Sequence, residues 1–162
     1  MHNAKNFIIE DGVLKKYIGN DTEIVIPDDG SVTSIGEEAF FGYEILKSIK
    51  IPSSVTEICS YAFAICKTLR RVRIPDSVIK IGQSVFSSCK HLGIVTLSSS
   101  LTEIGDYAFA DCWCLENITI PDSVIYIGEG VFSGCDDIVI SAKAGSYAAE
   151  YAKENGIKLN LI

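Results

Sequence analysis

The chain has 162 residues, of which 48% are apolar, so it is long enough to form one domain with a sizeable core. Its formal net charge of -7 disfavours binding to nucleic acids and anionic membranes unless the cations cluster. Only two histidines are present, which disfavours most acid–base and triad chemistry and indicates a protein that is not an enzyme.

The N-terminal segment predicts a cap rather than a targeting signal. Residues 1–6 lack the pattern of a signal peptide, and no apolar run in the chain approaches the roughly 18 to 20 residues that cross a bilayer. We therefore expect neither an export segment nor membrane insertion. Residues 7–10 and 13–17 are predicted to form two strands joined by Asp11 and Gly12 in a two-residue hairpin. This hairpin would cover the N-terminal end of the core.

Apolar residues recur every 23 positions, which is the signature of a repeat protein. One aromatic and several aliphatic columns keep this spacing, among them Phe40, Phe63, Phe86, Phe109 and Phe132, and Ile35, Ile58, Ile81, Ile104 and Ile127. A unit of this size cannot bury its apolar stripe alone, so stacked units are expected to share one core. We assign residues 1–162 to a single domain, with an N-terminal cap at 1–25, repeats at 26–140 and a C-terminal cap at 141–162.

Each unit predicts one short strand followed by a turn. In the clearest copy, Val72 and Ile74 point inward while Arg71 and Arg73 point outward, as in a half-buried strand. The proline that follows ends the strand because it cannot donate a ladder hydrogen bond. The chain then returns through a glycine and a short helical turn that contributes phenylalanine and cysteine to the interior.

The C-terminal residues predict a helix and a last strand. Ser146 is a suitable N-cap and Gly156 a suitable stop. The apolar face between them is predicted to consist of Tyr147, Ala148, Tyr151 and Ala152. The alternation of Ile157, Leu159 and Leu161 predicts one more strand.

The unit Leu-x-x-Val-x-Ile-Pro-x-Ser-Val-x-x-Ile-Gly-x-x-Ala-Phe-x-x-Cys resembles the leucine-rich repeat of the BspA-like class. The resemblance covers roughly residues 7–162, with departures at Cys59 in a glycine position and Ser98 in the proline position. It implies an α/β solenoid, a curved right-handed coil of about five 23-residue repeats with a hairpin cap and a helix–strand cap. It also implies attachment or host interaction at a bacterial cell surface, whereas the missing export segment leaves a cytoplasmic location open.

The spacing of the cysteines and histidines indicates a structural role rather than a metal site or a catalytic pair. A ladder of inward-facing thiols is expected at Cys66, Cys89, Cys112 and Cys135, because free cysteine behaves as a small apolar residue. Residues in a ladder do not converge on one point, so neither a metal nor another cofactor is expected. Cys114 lies outside the ladder and is expected to be the most exposed thiol. His91 is expected to point away from Cys89, which disfavours a catalytic pair.

The charges are zoned along the chain. Residues 1–46 carry a net charge of -6, residues 47–96 of +6, and residues 97–137 contain eight acids and no base. Strand alternation predicts which side chains point away from the core. These side chains are expected to lie on the concave face of the sheet, which solenoids use to bind partners. There Lys50, Arg71 and Arg73 would form a cationic cluster beside Ile94, suited to an acidic partner segment with an apolar neighbour. The alternative is that these coils only carry solubilising charge.

The candidate partner-binding residues on this face are Ser48, Lys50, Arg71, Arg73, Ile94, Thr96, Asn117 and Thr119. Trp113 is a further candidate, because a lone aromatic in a variable loop can anchor a contact, although core packing is an equal alternative. The predicted function is non-catalytic binding of a protein or glycan, and the oligomeric state stays open. The rival interpretations are a structural spacer within a larger surface protein and an intracellular interaction scaffold.

Overall fold

The computed structural model describes residues 4–162 and shows a β-solenoid of about six turns with one C-terminal helix. Residues 1–3, which belong to the predicted N-terminal cap and to the segment compared with signal peptides, lie outside the described residues. A 3-10 turn at Ala4–Asn6 leads into the hairpin of β1 (Phe7–Glu10) and β2 (Val13–Tyr17). The predicted hairpin is therefore confirmed.

One strand from each coil contributes to what we call the long-strand sheet. Its members are β3 (Glu23–Val25), β5 (Ser48–Lys50), β7 (Arg71–Arg73), β9 (Ile94–Thr96), β11 (Asn117–Thr119), β13 (Val139–Ala142) and β14 (Lys158–Leu161). All pairs are parallel, with the equivalent residues of successive coils in register. The hydrogen-bonded ladder is interrupted between β9 and β11, which still lie side by side.

A second strand per coil forms what we call the short-strand sheet. It starts with the hairpin and continues through β4 (Ser34–Ile35), β6 (Glu57–Ile58), β8 (Lys80–Ile81), β10 (Glu103–Ile104) and β12 (Tyr126–Ile127). The sequence pattern predicted only one strand per unit. Two residues are too short a run for alternation to be visible, so this sheet exists only because adjacent coils bring equivalent backbones together.

The core is one continuous column of side chains. Phe63, Phe86 and Phe109 are fully buried, and their rings stack along the axis with centroids 5.4 Å apart at each step. Phe40 and Phe132 extend the same stack at its two ends. Tyr17 covers the first ring of this column. The phase of the 23-residue period therefore places equivalent residues directly over one another, as expected.

The turn that carries the phenylalanines is not a helix. Two residues in each turn have positive φ at the same 23-residue spacing, including Tyr61 at 58° and Ile65 at 62°. Because of these φ values, every second N–H group points along the axis of the solenoid toward the next coil. The amide of Phe63, for example, donates a hydrogen bond to Val85 O at 2.9 Å. The expected short helical turn is replaced by this arrangement because bonds between coils satisfy the buried backbone.

A glycine column permits close approach of successive coils. A Cβ on Gly105 would come within 2.5 Å of the carbonyl carbon of Gly82 and 2.6 Å of the amide nitrogen of Gln83, both backbone atoms of the preceding coil. Cys59 occupies the equivalent position one coil before Gly82, so a side chain is accommodated there. Glycine is thus required at position 105 because a side chain would collide with the backbone of the preceding coil, and not because of its own φ.

We expect Gly105→Ala to lower the free energy of unfolding by about 1–3 kcal/mol, because the added methyl group must push two coils apart. Urea denaturation followed by circular dichroism measures this. The matched control is Cys59→Ala, which leaves a Cβ in the same column and should change stability by less than about 1 kcal/mol. Equal effects of the two variants would contradict the close-approach explanation.

The C-terminal end is covered by α1 (Tyr147–Glu154). Ser146 caps this helix by accepting a hydrogen bond from Ala149 N, and β14 follows it, as predicted. Tyr151 is buried against Phe132, with ring centroids 6.5 Å apart. One part of the predicted apolar face is wrong: Tyr147 is 44% exposed, and the buried residue beside Ala148 is Ala149. The helix turns its second and third residues, rather than its first, toward the core.

Candidate partner-binding site

The outward positions of the long-strand sheet form a continuous surface, which we call the sheet face. It has two rows of seven positions: Glu23, Ser48, Arg71, Ile94, Asn117, Val139 and Lys158, and Val25, Lys50, Arg73, Thr96, Thr119, Ser141 and Asn160. Glu23 is the only acid among them, although the chain has 21 acids. The sheet face therefore carries a net positive charge, whereas the whole chain is net negative.

Five cations gather at the β5 and β7 end of the sheet face. Lys50, Arg71 and Arg73 are exposed on the strands, as predicted, and Lys47 and Arg70 directly precede the same two strands. None of the five forms an ion pair with a carboxylate of the described residues. By contrast, Lys67, Lys80, Lys143 and Lys153 each pair with an acid elsewhere on the surface. These five cations, on and beside the sheet face, are thus left available to an external anion.

A shallow depression of about 480 Å³ is bordered by three of these cations, whereas Lys50 and Arg73 lie outside its lining. It is lined by Glu23, Lys47, Ser48, Arg70, Arg71 and Ile94. Three of the predicted residues, Ser48, Arg71 and Ile94, therefore meet at one place. Ile94 is 63% exposed there, which gives the depression an apolar wall beside its charges.

Sequence reasoning missed Lys47 and Arg70. Strand alternation assigns side chains only within the strand, and these two residues precede it. The sequence does contain an indication of this pair, because Lys47 and Arg70 are one period apart. The next residue at that spacing is Gly93, which has no side chain to fill the space beside Arg70. A search of every column for unpaired charge, rather than of the strand positions alone, would have found them.

Arg73 lies close enough to Asp76, in the turn that follows its strand, for their charges to interact. Hydrogen bonds from the backbone N–H and hydroxyl of Ser99, at 2.8 and 2.9 Å, lower the pKa of the Asp76 carboxyl, and the charge of Arg73 adds to this effect. Asp76 is thus held by the next coil and its charge is partly compensated there. Arg73 stays exposed and free of an ion pair within the described residues.

On β9 and β11 the sheet face is uncharged, and its side chains are polar except for Ile94. Thr96, Asn117 and Thr119 are exposed on β9 and β11, as predicted. Thr119 also borders a separate cavity of about 350 Å³, between β11 and the end of the chain, whose other walls include Pro121 and Ile162. These residues lie on the same face as the cations but outside the depression.

Trp113 lies in the loop before β11, away from the depression. Its side chain is 61% exposed, so the core-packing alternative is excluded. The Lys90 ammonium nitrogen lies 3.9 Å from the centroid of its ring. The structure therefore leaves Trp113 as a surface aromatic, separate from the other predicted site residues.

The cysteine ladder has the predicted positions. Cys66, Cys89, Cys112 and Cys135 are buried, and the thiol of Cys89 donates to Phe63 O at 3.1 Å. Burial raises the pKa of all four thiols, to about 12 for Cys89 and about 11 for Cys135. Cys114 is exposed, as expected.

His91 is also exposed, and its Nδ1 lies 2.6 Å from Lys67 O, so it does not meet the inward thiol of Cys89. Among residues 4–162, no group of three or more histidine, cysteine, aspartate or glutamate side chains could hold a metal ion. Over the same residues, no helix has the length and apolar composition that a bilayer crossing requires.

Known structures with the same architecture come from bacterial leucine-rich repeat proteins. A leucine-rich repeat protein of T. pallidum shares 30% identity with a TM-score of 0.82, and the match covers 86% of this chain and 70% of that one. A leucine-rich repeat protein from Bacteroides ovatus shares 34% identity with a TM-score of 0.68, over 84% of this chain and 44% of that one. The pneumococcal vaccine antigen PcpA shares 32% identity with a TM-score of 0.68, over 76% of this chain.

The chain spans less than half of the second and third of these proteins, 44% and 31% respectively. A search of curated protein sequences returns no significant match. The model of the BspA type leucine-rich repeat region matches residues 8–139 in six copies, which is most of the chain. With the register of its coils and the stacked phenylalanine column, this match shows that the chain belongs to the BspA-type leucine-rich repeat family.

Proposed function

We propose that this protein is a non-catalytic binding module whose sheet face docks an acidic segment of a partner protein. The observation that carries the proposal is the cluster of five cations without ion pairs, set in a chain of net charge -7. Like charges that lie close together repel one another, and a bound anion relieves this repulsion. Arginine pairs with carboxylates through two parallel hydrogen bonds. An acidic segment would supply those carboxylates.

The apolar wall of the depression favours a polypeptide over a glycan. Ile94 offers aliphatic surface next to Arg71, which suits an apolar side chain flanked by acids. Sugars stack on aromatic rings, and the fourteen positions of the sheet face contain none. A glycan therefore finds charge and hydroxyl groups on this face but no stacking platform.

We also propose that the module acts at a cell surface, in attachment or host interaction. The support is the family and its likeness to the pneumococcal vaccine antigen. Labelling of intact cells with an antibody against this domain tests it, with lysed cells as the reference. Signal that appears only after lysis would overturn the surface assignment and support an intracellular scaffold.

The docking proposal is tested with Arg71→Glu/Arg73→Glu. The probe is a short fluorescent peptide of glutamates around a central leucine, measured by anisotropy. We expect the variant to bind at least about tenfold more weakly than the wild type, which is about 1.4 kcal/mol, and binding to weaken with added salt.

The matched control is Lys15→Glu/Lys16→Glu, which makes the same change in net charge at two exposed positions of β2. It should keep the wild-type affinity to within about twofold, because those positions lie on the hairpin. An equal loss in both variants would show that only net charge matters. No binding of the wild type to the glutamate peptide would favour the spacer interpretation.

A further inference from the structure

A column of loop residues next to the long-strand sheet pairs its charges in a regular way. Its members are one period apart: Glu44, Lys67, Lys90, Trp113 and Asp136. Lys67 forms an ion pair with Glu44 at 2.6 Å, and Lys90 lies over the Trp113 ring. Each cation of the column is thus matched to a neighbour on the preceding or following coil.

Asp136 is the member that has no match. It forms no ion pair within the described residues, and neither does its neighbour Asp137. Between these carboxylates and the indole lies a cavity of about 260 Å³, lined by Trp113, Gly134, Asp136 and Asp137. The column therefore ends in an open space with an aromatic wall on one side and two carboxylates on the other.

Lys90 and the cavity lie on different sides of Trp113 along the stack of coils. Lys90 belongs to the coil before Trp113, whereas Gly134, Asp136 and Asp137 belong to the coil after it. Lys90 and the residues that line the cavity with Trp113 thus come from the two coils on either side of the Trp113 coil. The indole already receives one cation, which shows that its orientation suits cation–π contact.

The surroundings of the cavity are strongly anionic. Asp111 is a third carboxylate at its edge, because its Oδ1 lies 2.5 Å from where a Cβ of Gly134 would be. Residues 97–137 contain eight acids and no base, so no neighbour in this stretch can neutralise these groups.

We propose that this cavity binds an arginine side chain of a partner polypeptide. A guanidinium is planar, so it can stack on the exposed indole of Trp113 and direct its N–H groups to the carboxylates of Asp136 and Asp137. It would complete the column as Lys67 and Lys90 do on earlier coils. The site is distinct from the sheet face in both residues and charge preference, so it stands or falls independently of the docking proposal.

Trp113 is the single tryptophan of the chain, so a change in tryptophan emission reports on binding next to this residue. The probe is a capped Gly-Arg-Gly peptide, and its matched control replaces arginine with citrulline, which has nearly the same shape but no charge. We expect a saturable change in emission with a dissociation constant of about 1 mM, and at least about tenfold weaker binding of the citrulline peptide.

Asp136→Asn/Asp137→Asn keeps the reporter but removes both carboxylates, and it should reduce affinity for the arginine peptide at least about tenfold. Asp28→Asn/Asp29→Asn is the matched control, an exposed acidic pair in another turn, and should bind as the wild type does. Circular dichroism of both variants checks that the fold is kept.

Three outcomes would overturn the proposal. One is no saturable change up to about 10 mM arginine peptide, and another is equal binding of the citrulline peptide. The third is a response to a neutral disaccharide such as cellobiose without one to the arginine peptide, which would assign the indole to a sugar instead.

Discussion

Raising the pH from about 8 to about 11 should unfold this protein steeply, because four buried thiols ionise at lower pH in the unfolded chain than in the folded chain. Burial raises the pKa of Cys66, Cys89, Cys112 and Cys135 above the ordinary value of 9.0, to about 11 for Cys135 and about 12 for Cys89. In the unfolded chain the same thiols lose their protons near pH 9. The folded state therefore holds more protons than the unfolded state above that pH.

The sign follows from this difference in bound protons. The free energy of unfolding falls as the pH rises wherever the native state binds more protons. The stability linked to the thiols is thus fully present below about pH 9 and is lost between about pH 9 and the folded pKa values. Each thiol raises the unfolding equilibrium constant by up to about tenfold per pH unit, so four together give up to about four orders of magnitude per unit.

Urea titrations at several pH values measure this dependence. Cys89→Ala/Cys112→Ala should reduce the part of the slope that the thiols contribute by about half, because it removes two of the four ionising groups. The control, Cys114→Ala, removes an exposed thiol and should leave the slope unchanged. An unchanged slope in the double variant would mean that tyrosines or lysines, rather than the ladder, govern alkaline unfolding.

Phe86→Ala should lower the free energy of unfolding by about 3–5 kcal/mol. The Phe86 ring is fully buried and stacks on Phe63 and Phe109, at interplanar angles of 3° and 10°. Its removal leaves a cavity in the middle of the column and also breaks two ring contacts. Coils that are hydrogen-bonded on both sides cannot collapse easily into that space.

Phe41→Ala is the matched control, since Phe41 adjoins the column in sequence but is 48% exposed. It should change the free energy of unfolding by no more than about 0.5 kcal/mol. Urea denaturation of both variants decides the matter. A loss of less than about 1 kcal/mol for Phe86→Ala would show that the column is not the main source of stability.

The two proposed sites predict a partner with two kinds of charge. The depression beside Arg71 and Ile94 suits an acidic segment with an apolar residue, and the cavity beside Trp113 suits an arginine. Both regions lie on or next to the long-strand sheet, the first near β5 and β7 and the second near β11 and β13. One extended polypeptide could therefore bear both features, and the separate variants distinguish the contributions of the two sites.

The spacing of the sequence was sufficient to predict the coil, the phenylalanine column and the buried thiols. A residue that recurs every 23 positions and is apolar every time has one simple explanation, which is a shared core. Alternation around Val72 then set which neighbours, such as Arg71 and Arg73, point outward. Ser146 and Gly156 likewise gave the last helix, because capping chemistry is local.

Only the tertiary structure decided features that depend on contact between coils. The two-residue strands of the short-strand sheet and the positive φ of Ile65 exist because neighbouring backbones exchange hydrogen bonds, which no single unit encodes. The exposure of Tyr147 and Trp113, and the gathering of Lys47 and Arg70 at the depression, depend on how side chains of different coils meet. Local patterns determine what each residue does within its own turn of the chain, whereas the stacking of turns determines which residues become a surface.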